Sequence, residues 1–514
     1  VLEKVDLNKR IDKKDKKDKK EAKERQEQLS SRLSYLQRVC KEEGIPITIL
    51  FEGFGASGKG TMINQLIQAL DPRGFQVYSI QRPTKEEKQR PYLCRFFSKL
   101  PAKGRIAIFD RSWYRRVLND RIDQIATKEE IECAFDDIVH FEQLLTDDGM
   151  VLIKFFLYIT KEEQKKRFHK LQARKETRWR VKKRDIRQNQ HYEKYLKMNN
   201  EMLENTDTQN APWTIVEAMD FHYAKCKIMK TVVARLEEEL LAHKESAKEL
   251  HHVTRMGNQL ETPIVCVNQT ELIDDIKTPV LAGIDLTKKL SKEEYKCRIK
   301  QLECKLSLLH NEMRSKKVPV ILAFEGWDAA GKGGAIKRVT KYLDPRGYKV
   351  IPISAPNDVE KAHHYLWRFY QTFPKEGHMA IYDRTWYGRV LVERVEGFCT
   401  KAEWKRAYHE INEMEEHLRN FGAEIIKFWM HIDKDEQEKR FLDRQQNPAK
   451  SWKITEEDWR NRERWDDYVE AVDEMLVKTS TTYAPWTVIE GNSKRYARVK
   501  VLETIIHALE KRLT

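Results

Sequence analysis

No stretch of this 514-residue chain stays apolar for anything near the roughly 20 residues that a membrane-spanning helix needs, so membrane insertion is not expected. The amino-terminal residues are charged and lack the apolar core of a secretory signal, which argues against export. The chain starts at Val1 rather than at methionine, so its translational start is expected upstream. The eight cysteines form no C-x-x-C pair, and Cys297 and Cys304 sit one heptad apart in a helical pattern. Together these read as reduced, structural thiols of a cytoplasmic protein. Negative charge is also in short supply. Lys and Arg number 96 against 81 Asp and Glu, a formal charge of +15 that favours an acidic partner: nucleic acid, a phosphorylated metabolite, a polyanion or a membrane surface. The blander reading is a basic protein surface with no such partner.

What the chain does contain is one pattern written twice. Gly53-Phe54-Gly55-Ala56-Ser57-Gly58-Lys59-Gly60 recurs as Gly326-Trp327-Asp328-Ala329-Ala330-Gly331-Lys332-Gly333, each after an apolar run that reads as a buried strand. The shift of 273 residues that superposes the two lysines also carries Asp71-Pro72-Arg73-Gly74 onto Asp344-Pro345-Arg346-Gly347. It carries Asp110-Arg111 onto Asp383-Arg384 and Ala211-Pro212-Trp213-Thr214 onto Ala484-Pro485-Trp486-Thr487. A tandem duplication follows, with a first unit at 1–242, a linker at 243–279 and a second unit at 280–514. The linker has no counterpart and contains a strand-like run, Pro263-Ile264-Val265-Cys266-Val267. Residues from about Asn8 to Arg25 are nearly all charged and read as a solvated helix or a disordered arm. Glu27 to Val39 and Tyr295 to Met313 carry apolar residues at helical spacing, so each unit opens with an amphipathic helix.

Apolar runs then alternate with longer helical patterns, the signature of an α/β fold with a parallel sheet flanked by helices. In the second unit the predicted strands are Val320 to Phe324, Lys349 to Ile353, Met379 to Tyr382, Ile425 to Ile432 and Thr487 to Ile489. The expected architecture is two tandem P-loop-kinase-like domains, each with a helical lid, which in the second unit is the charged stretch from Arg440 to Arg464. Much of that stretch reads equally well as a solvated helix face with Trp452, Trp459 and Trp465 packed beneath.

A strand, a glycine turn and a helix start converge several backbone N–H groups on one point, which suits a phosphate. In the second unit the turn is built from Gly326, Ala329, Ala330, Gly331, Gly333 and Gly334, and Lys332 would reach phosphate oxygens as a point charge. The usual Ser or Thr after the lysine, which holds magnesium in nucleotide-binding loops, is missing in both copies. Asp328, inside the second loop, is the natural replacement, because a carboxylate beside phosphates is tolerable chiefly with a cation between them. A plain helix-N-terminal acid is the alternative role. Asp383 ends a predicted strand as a second magnesium-associated carboxylate does, and Arg384 beside it could neutralise transferring oxygens; a structural ion pair is the competing reading. Arg444 is singled out because its counterpart is Leu171, just as Asp328 faces Gly55. The first unit therefore reads as catalytically silent. Lys337, Arg368 and Arg389 are further candidates for contacting a polymeric anion.

These residues resemble the polyphosphate kinase 2 family, whose pattern is glycine-x-Asp-Ala-Ala-Gly-Lys-Gly followed by Asp-Arg-Ser/Thr-Trp-Tyr. Here the two motifs are Gly326 to Gly334 and Asp383-Arg384-Thr385-Trp386-Tyr387-Gly388-Arg389, and the likeness extends to Leu366-Trp367-Arg368-Phe369, the lid and Ala484-Pro485-Trp486. The resemblance implies transfer of a phosphoryl group from inorganic polyphosphate to AMP, giving ADP, with magnesium, or manganese in its stead. It implies Asp328, Lys332, Asp383, Arg384 and Arg444 as the working set, Asp328 and Asp383 holding the metal. Nucleic acid and membranes are not expected partners, and a homo-oligomer is left open. The competing readings are an ATP-dependent nucleoside monophosphate kinase and a non-catalytic polyanion-binding scaffold.

Overall fold

The structure is a computed structural model that describes residues 1–10, 16–175, 177–178, 181–255, 279–447, 454 and 456–514. It divides into two compact units, described in turn.

The first unit is built on β1 (Ile47–Gly53), β2 (Phe75–Ser79), β3 (Ile106–Asp110), β4 (Val151–Tyr158) and β5 (Trp213–Glu217), in the order β2-β3-β1-β4-β5. The second has β6 (Val320–Gly326), β7 (Tyr348–Pro352), β8 (Met379–Asp383), β9 (Glu424–His431) and β10 (Trp486–Glu490), in the equivalent order β7-β8-β6-β9-β10. Every neighbouring pair is parallel. The central strands β1 and β6 are covered on both faces, which is why Ile47 to Phe51 and Val320 to Phe324 are continuously apolar apart from Thr48 and carry no alternation. The five predicted strands of the second unit are all present, each within a residue or two of its expected ends.

The amphipathic helices that open the units are Lys16–Glu42 and Lys292–Ser315. The expected arm thus becomes helix from Lys16, while 11–15 lie outside the described residues. The helix Phe221–Arg255 that closes the first unit continues through 243–255, where a linker was expected to begin. A linker there would need the helical pattern to stop, and from Leu240 through Glu249 the sequence offers neither glycine nor proline to stop it. The rest of that segment, with the run Pro263 to Val267, lies outside the described residues.

Each unit contains a buried charged network built on the same residues. Lys427, fully buried on β9, donates to Glu415 Oε2 (2.7 Å), the Tyr387 hydroxyl (2.8 Å) and the Thr479 carbonyl (2.7 Å). All three ammonium donors are satisfied, as a buried charge requires. Lys154, Glu142, Tyr114 and Thr206 repeat the arrangement in the first unit. These networks lock β4 and β9 to the helices Lys128–Asp147 and Lys401–Asn420, fixing the central sheet whose ends carry the loops.

Candidate active site

The site of the second unit grows from the end of β6. Gly326 has φ +142°, and a Cβ there would lie 2.5 Å from the Met430 carbonyl oxygen, so only glycine lets β6 run this close to β9. The turn closes with Ala329 at φ 62° and Gly331 at φ 110°, and the helix Lys332–Thr340 begins. Lys332 folds back over the turn, its Nζ donating to the Gly326 (2.5 Å) and Trp327 (3.2 Å) carbonyls.

Asp328 projects from this turn. Its Oδ1 accepts from Arg384 Nη2 at 3.1 Å and its Oδ2 from Asn461 Nδ2 at 3.3 Å, with 18% of the side chain exposed. Burial pushes its carboxyl up, but Lys332, Arg384 and the Asn461 bond outweigh burial and hold it below the ordinary carboxylate range. Arg384 sits in the left-handed region at φ 67°, an uncommon conformation held by its N–H bond to the Phe324 carbonyl (3.0 Å). The guanidinium is destabilised by burial and restored by the surrounding Asp328, Glu325 and Asp383 carboxylates, so its pKa lies above the usual value. Asp383 ends β8 as expected.

Four residues build the frame, three of which sequence reasoning left unassigned and one of which it read otherwise. Glu325, buried at the end of β6, accepts from the Thr385 N–H (2.6 Å) and hydroxyl (2.7 Å) and so fixes the turn that carries Asp383 and Arg384. Burial raises its carboxyl pKa, against the pull of Thr385, Lys332 and Arg384. Arg440 was read as part of a charged lid, yet it is 4% exposed and braces the loop. Its guanidinium donates to Glu436 and to the carbonyls of Ala329, Ala330, Gly491 and Asn492 at 2.6–3.1 Å. Gln437 donates to the Asp328 carbonyl, and Asn461 orients the Asp328 side chain.

Of the remaining candidates, Arg444 lies in the last turn of the helix Lys434–Gln445 and lines a cavity beside Ala329, Ala330 and Gly331. Lys337 is exposed in the last turn of the loop helix. Arg368 donates to the Ser354 carbonyl (3.0 Å), and Arg389 pairs with Glu393 (3.1 Å) and covers the Tyr365 ring. Trp459 packs edge-on against Phe441, and Trp465 stacks on the loop residue Trp327 at 3.8 Å, so these two tryptophans are packing elements. Trp452 lies outside the described residues. Trp327 also donates to His431 Nδ1 (3.0 Å), and burial depresses the His431 pKa to about 4, which keeps it a neutral acceptor.

A sequence profile for Polyphosphate kinase 2 (PPK2) matches residues 16–244 and again 289–514. The chain belongs to the polyphosphate kinase 2 family. It is 40% identical over 465 residues to a polyphosphate:AMP phosphotransferase of Pseudomonas aeruginosa, covering 90% of each chain. It is 34% identical over 469 residues to another of Acinetobacter johnsonii, covering 90% of this chain and 91% of that one. A crystal structure of a Pseudomonas aeruginosa protein assigned to polyphosphate kinase 2 is similar with a TM-score of 0.83 at 36% identity, covering 100% of this chain and 99% of that one.

The first polyphosphate kinase 2 unit keeps the frame, with Lys59, Asp110 and Arg111, and has Gly55 where the second has Asp328. Glu52 holds Ser112 as Glu325 holds Thr385, and Arg167 braces the loop as Arg440 does. Where Asp328 would project, Gly55 leaves room that Gln188 fills, its Oε1 accepting the Gly55 N–H at 2.8 Å. With no loop carboxylate, burial and Arg111 push the Lys59 pKa down to about 8.

Proposed function

We propose that the second unit transfers a phosphoryl group from inorganic polyphosphate to AMP, giving ADP, and that the first unit is a silent copy. The observation that carries this reading is the ionised Asp328 inside the phosphate turn, paired with Arg384, against Gly55 and an intruding Gln188 in the other copy. The activities named for relatives that match over nine-tenths of their length support the choice of donor and acceptor.

Among the described residues no group of three or more His, Cys, Asp or Glu could cage a metal. A pair of carboxylates instead suits magnesium, or manganese, which commonly takes one or two protein carboxylates and completes its shell with waters and substrate phosphates. Asp328 and Asp383 would hold it, and when bound it neutralises charge between donor and acceptor. The chain's own residues supply position and countercharge, which is most of what phosphoryl transfer asks of a protein. Loop N–H groups and Lys332 receive phosphate oxygens. Arg384, held beside Asp328, is placed to turn onto the transferring group. Glu325 keeps the Arg384 turn rigid through Thr385.

Incubating the protein with AMP and magnesium, and either polyphosphate or ATP, tests the assignment. ADP should form faster from polyphosphate; faster formation from ATP would make the chain a nucleoside monophosphate kinase. No product from either donor would leave a polyanion-binding scaffold.

A further inference from the structure

The first unit has a cavity of its own, lined from the ends of β1 and β3 and from the helices Lys183–Gln190 and Tyr192–Thr206. It leaves about 30 Å³ for the centres of water-sized atoms. Two polar groups in its lining are buried without a partner. Tyr195 is 6% exposed, and its buried hydroxyl makes no hydrogen bond among the described residues. Asn199, one turn further along the same helix and 5% exposed, has a side-chain amide with no hydrogen bond among the described residues. Burying such groups unpaired costs stability, which a ligand that pairs them restores. Arg111 supplies charge. Its guanidinium has no hydrogen bond or ion pair among the described residues, since Gly55 stands where Asp328 pairs with Arg384 in the second unit. Arg184 lines the same space, steadied by Asn119 and by Asp123 at 3.7 Å. Of the two carboxylates in the lining, Glu52 accepts from the Ser112 N–H and hydroxyl, and Asp185 from the Lys182 N–H.

The internal duplication shows that these groups are more than the remains of a shared site. Asn119, Arg184 and Asn199 stand where the second unit has Val392, Glu457 and Val472. The same fold therefore accommodates apolar side chains at two of these places, and a copy with nothing to bind would gain stability by having them. The first unit instead carries two amides, and a cation in place of an acid. With no loop carboxylate to share a divalent ion, an anion in this space meets the arginine directly. Arg111 at the end of β3, Arg184 on one helix, and Tyr195 and Asn199 on the next bring donors from three elements to one small volume, which suits a tetrahedral oxyanion. The oxygens of a phosphate group, clustered about one phosphorus, fit the space, whereas a nucleoside does not.

We propose that the first unit binds a phosphate group in this cavity without a divalent metal, with Arg111, Tyr195 and Asn199 as its contacts and Arg184 at its edge. The group belongs either to free orthophosphate or to a nucleotide whose remainder stays outside. The proposal rests on the reading of the first unit as a silent copy, and it gives that copy a binding role in place of turnover.

The test uses the full chain with magnesium removed by EDTA, titrated calorimetrically with orthophosphate, AMP and adenosine. Orthophosphate and AMP should bind and adenosine should not; whichever of the two binds more tightly is the source of the group. Adenosine binding as tightly as AMP would overturn a phosphate site. Tyr195→Phe/Asn199→Val keeps the outline of the cavity and should weaken orthophosphate by about tenfold or more, while melting without phosphate stays the same or rises, since each change removes an unpaired polar group. A purely structural role gives the reverse, lower melting with binding unchanged, and would refute the proposal. Arg111→Gln should weaken orthophosphate likewise, and Lys332→Gln/Arg384→Gln in the second unit should leave this binding step in place. If the step vanishes with Lys332→Gln/Arg384→Gln and survives Tyr195→Phe/Asn199→Val, the phosphate sits in the second unit and the proposal falls. ADP formation by the Asp328→Asn chain would instead remove the reading of the first unit as silent, whatever the phosphate titration gives.

Discussion

Restoring the missing carboxylate to the first unit should fail, and the structure gives the size of the failure. Gly55 does not need its conformational freedom, since its φ is outside the left-handed region; what opposes Gly55→Asp is the space. A Cβ at Gly55 would lie 2.9 Å from Gln188 Oε1, 3.2 Å from Asp185 Oδ1 and 3.3 Å from Phe168 Cζ. Gln188 must withdraw, giving up its bonds to the Gly55 N–H (2.8 Å) and from Gln164 (3.0 Å), and the new carboxylate meets that of Asp185. Two hydrogen bonds at about 0.5–1.5 kcal/mol each set the loss at roughly 1–3 kcal/mol. For a unit of this size that lowers the melting of the first unit by roughly 3–10 °C. Placed in an Asp328→Asn background, so that only the first unit can act, Gly55→Asp should show no ADP formation above that background. Leu171 still stands where Arg444 does, and the site still lacks that cation. Gly55→Asp/Gln188→Asn, which copies the Asp328–Asn461 pair, should recover most of the stability and none of the activity. Differential scanning calorimetry and a coupled ADP assay read the two effects separately. Turnover within tenfold of the native protein from Gly55→Asp alone would refute the argument that the first copy is silent for reasons beyond its loop.

Three further expectations follow from named contacts. Asp328→Asn should lower kcat/KM by about 10³-fold or more, on the scale of single charged groups in phosphoryl transfer; a loss under tenfold would remove Asp328 from the machinery. Arg440→Lys keeps the charge but cannot span Glu436 and four carbonyls, so melting should fall and kcat/KM should drop by about 10–100-fold; wild-type kinetics would mean that the loop holds its shape without the brace. His431 stays neutral when folded down to about pH 4 whereas its unfolded value is about 6.5, so below pH 6.5 the unfolded chain takes up a proton that the folded chain refuses. Its contribution is therefore complete above pH 6.5 and lost as pH falls towards 4. His431→Tyr, which copies Tyr158 of the first unit, should flatten that part of the calorimetric pH profile, and an unchanged slope would refute it.

The strands and the duplication were legible because each central strand is an unbroken apolar run ended by a glycine turn, and a fixed shift aligns the two copies. The placement of Asp328 and Arg384 within one hydrogen bond of each other was readable only as two motifs, since 56 residues separate them. Comparing the copies pointed to Asp328 and Arg444, which differ, and concealed Arg440 and Glu325, whose equivalents Arg167 and Glu52 are the same. A residue that supports the frame is the same in both copies, so subtraction cannot find it. Arg440 was further obscured by its neighbours: in a run dense with arginines, nothing in the sequence marks the one that turns inward. The helix running on to Arg255 was not legible in the duplication, because that stretch has no counterpart in the second unit to compare with.

The face-to-face contact of Trp327 with Trp465 joins the phosphate turn to the start of the helix Trp465–Thr479 through two strongly absorbing indoles. Rings at that spacing couple their electronic transitions, giving a paired band in circular dichroism whose shape depends on their mutual angle. The matching contact in the other copy joins Phe54 to Tyr192, which absorb far more weakly. The native chain therefore carries its own label-free optical gauge of the second unit's loop, and titrating substrates against that band would report any shift of the turn as they arrive.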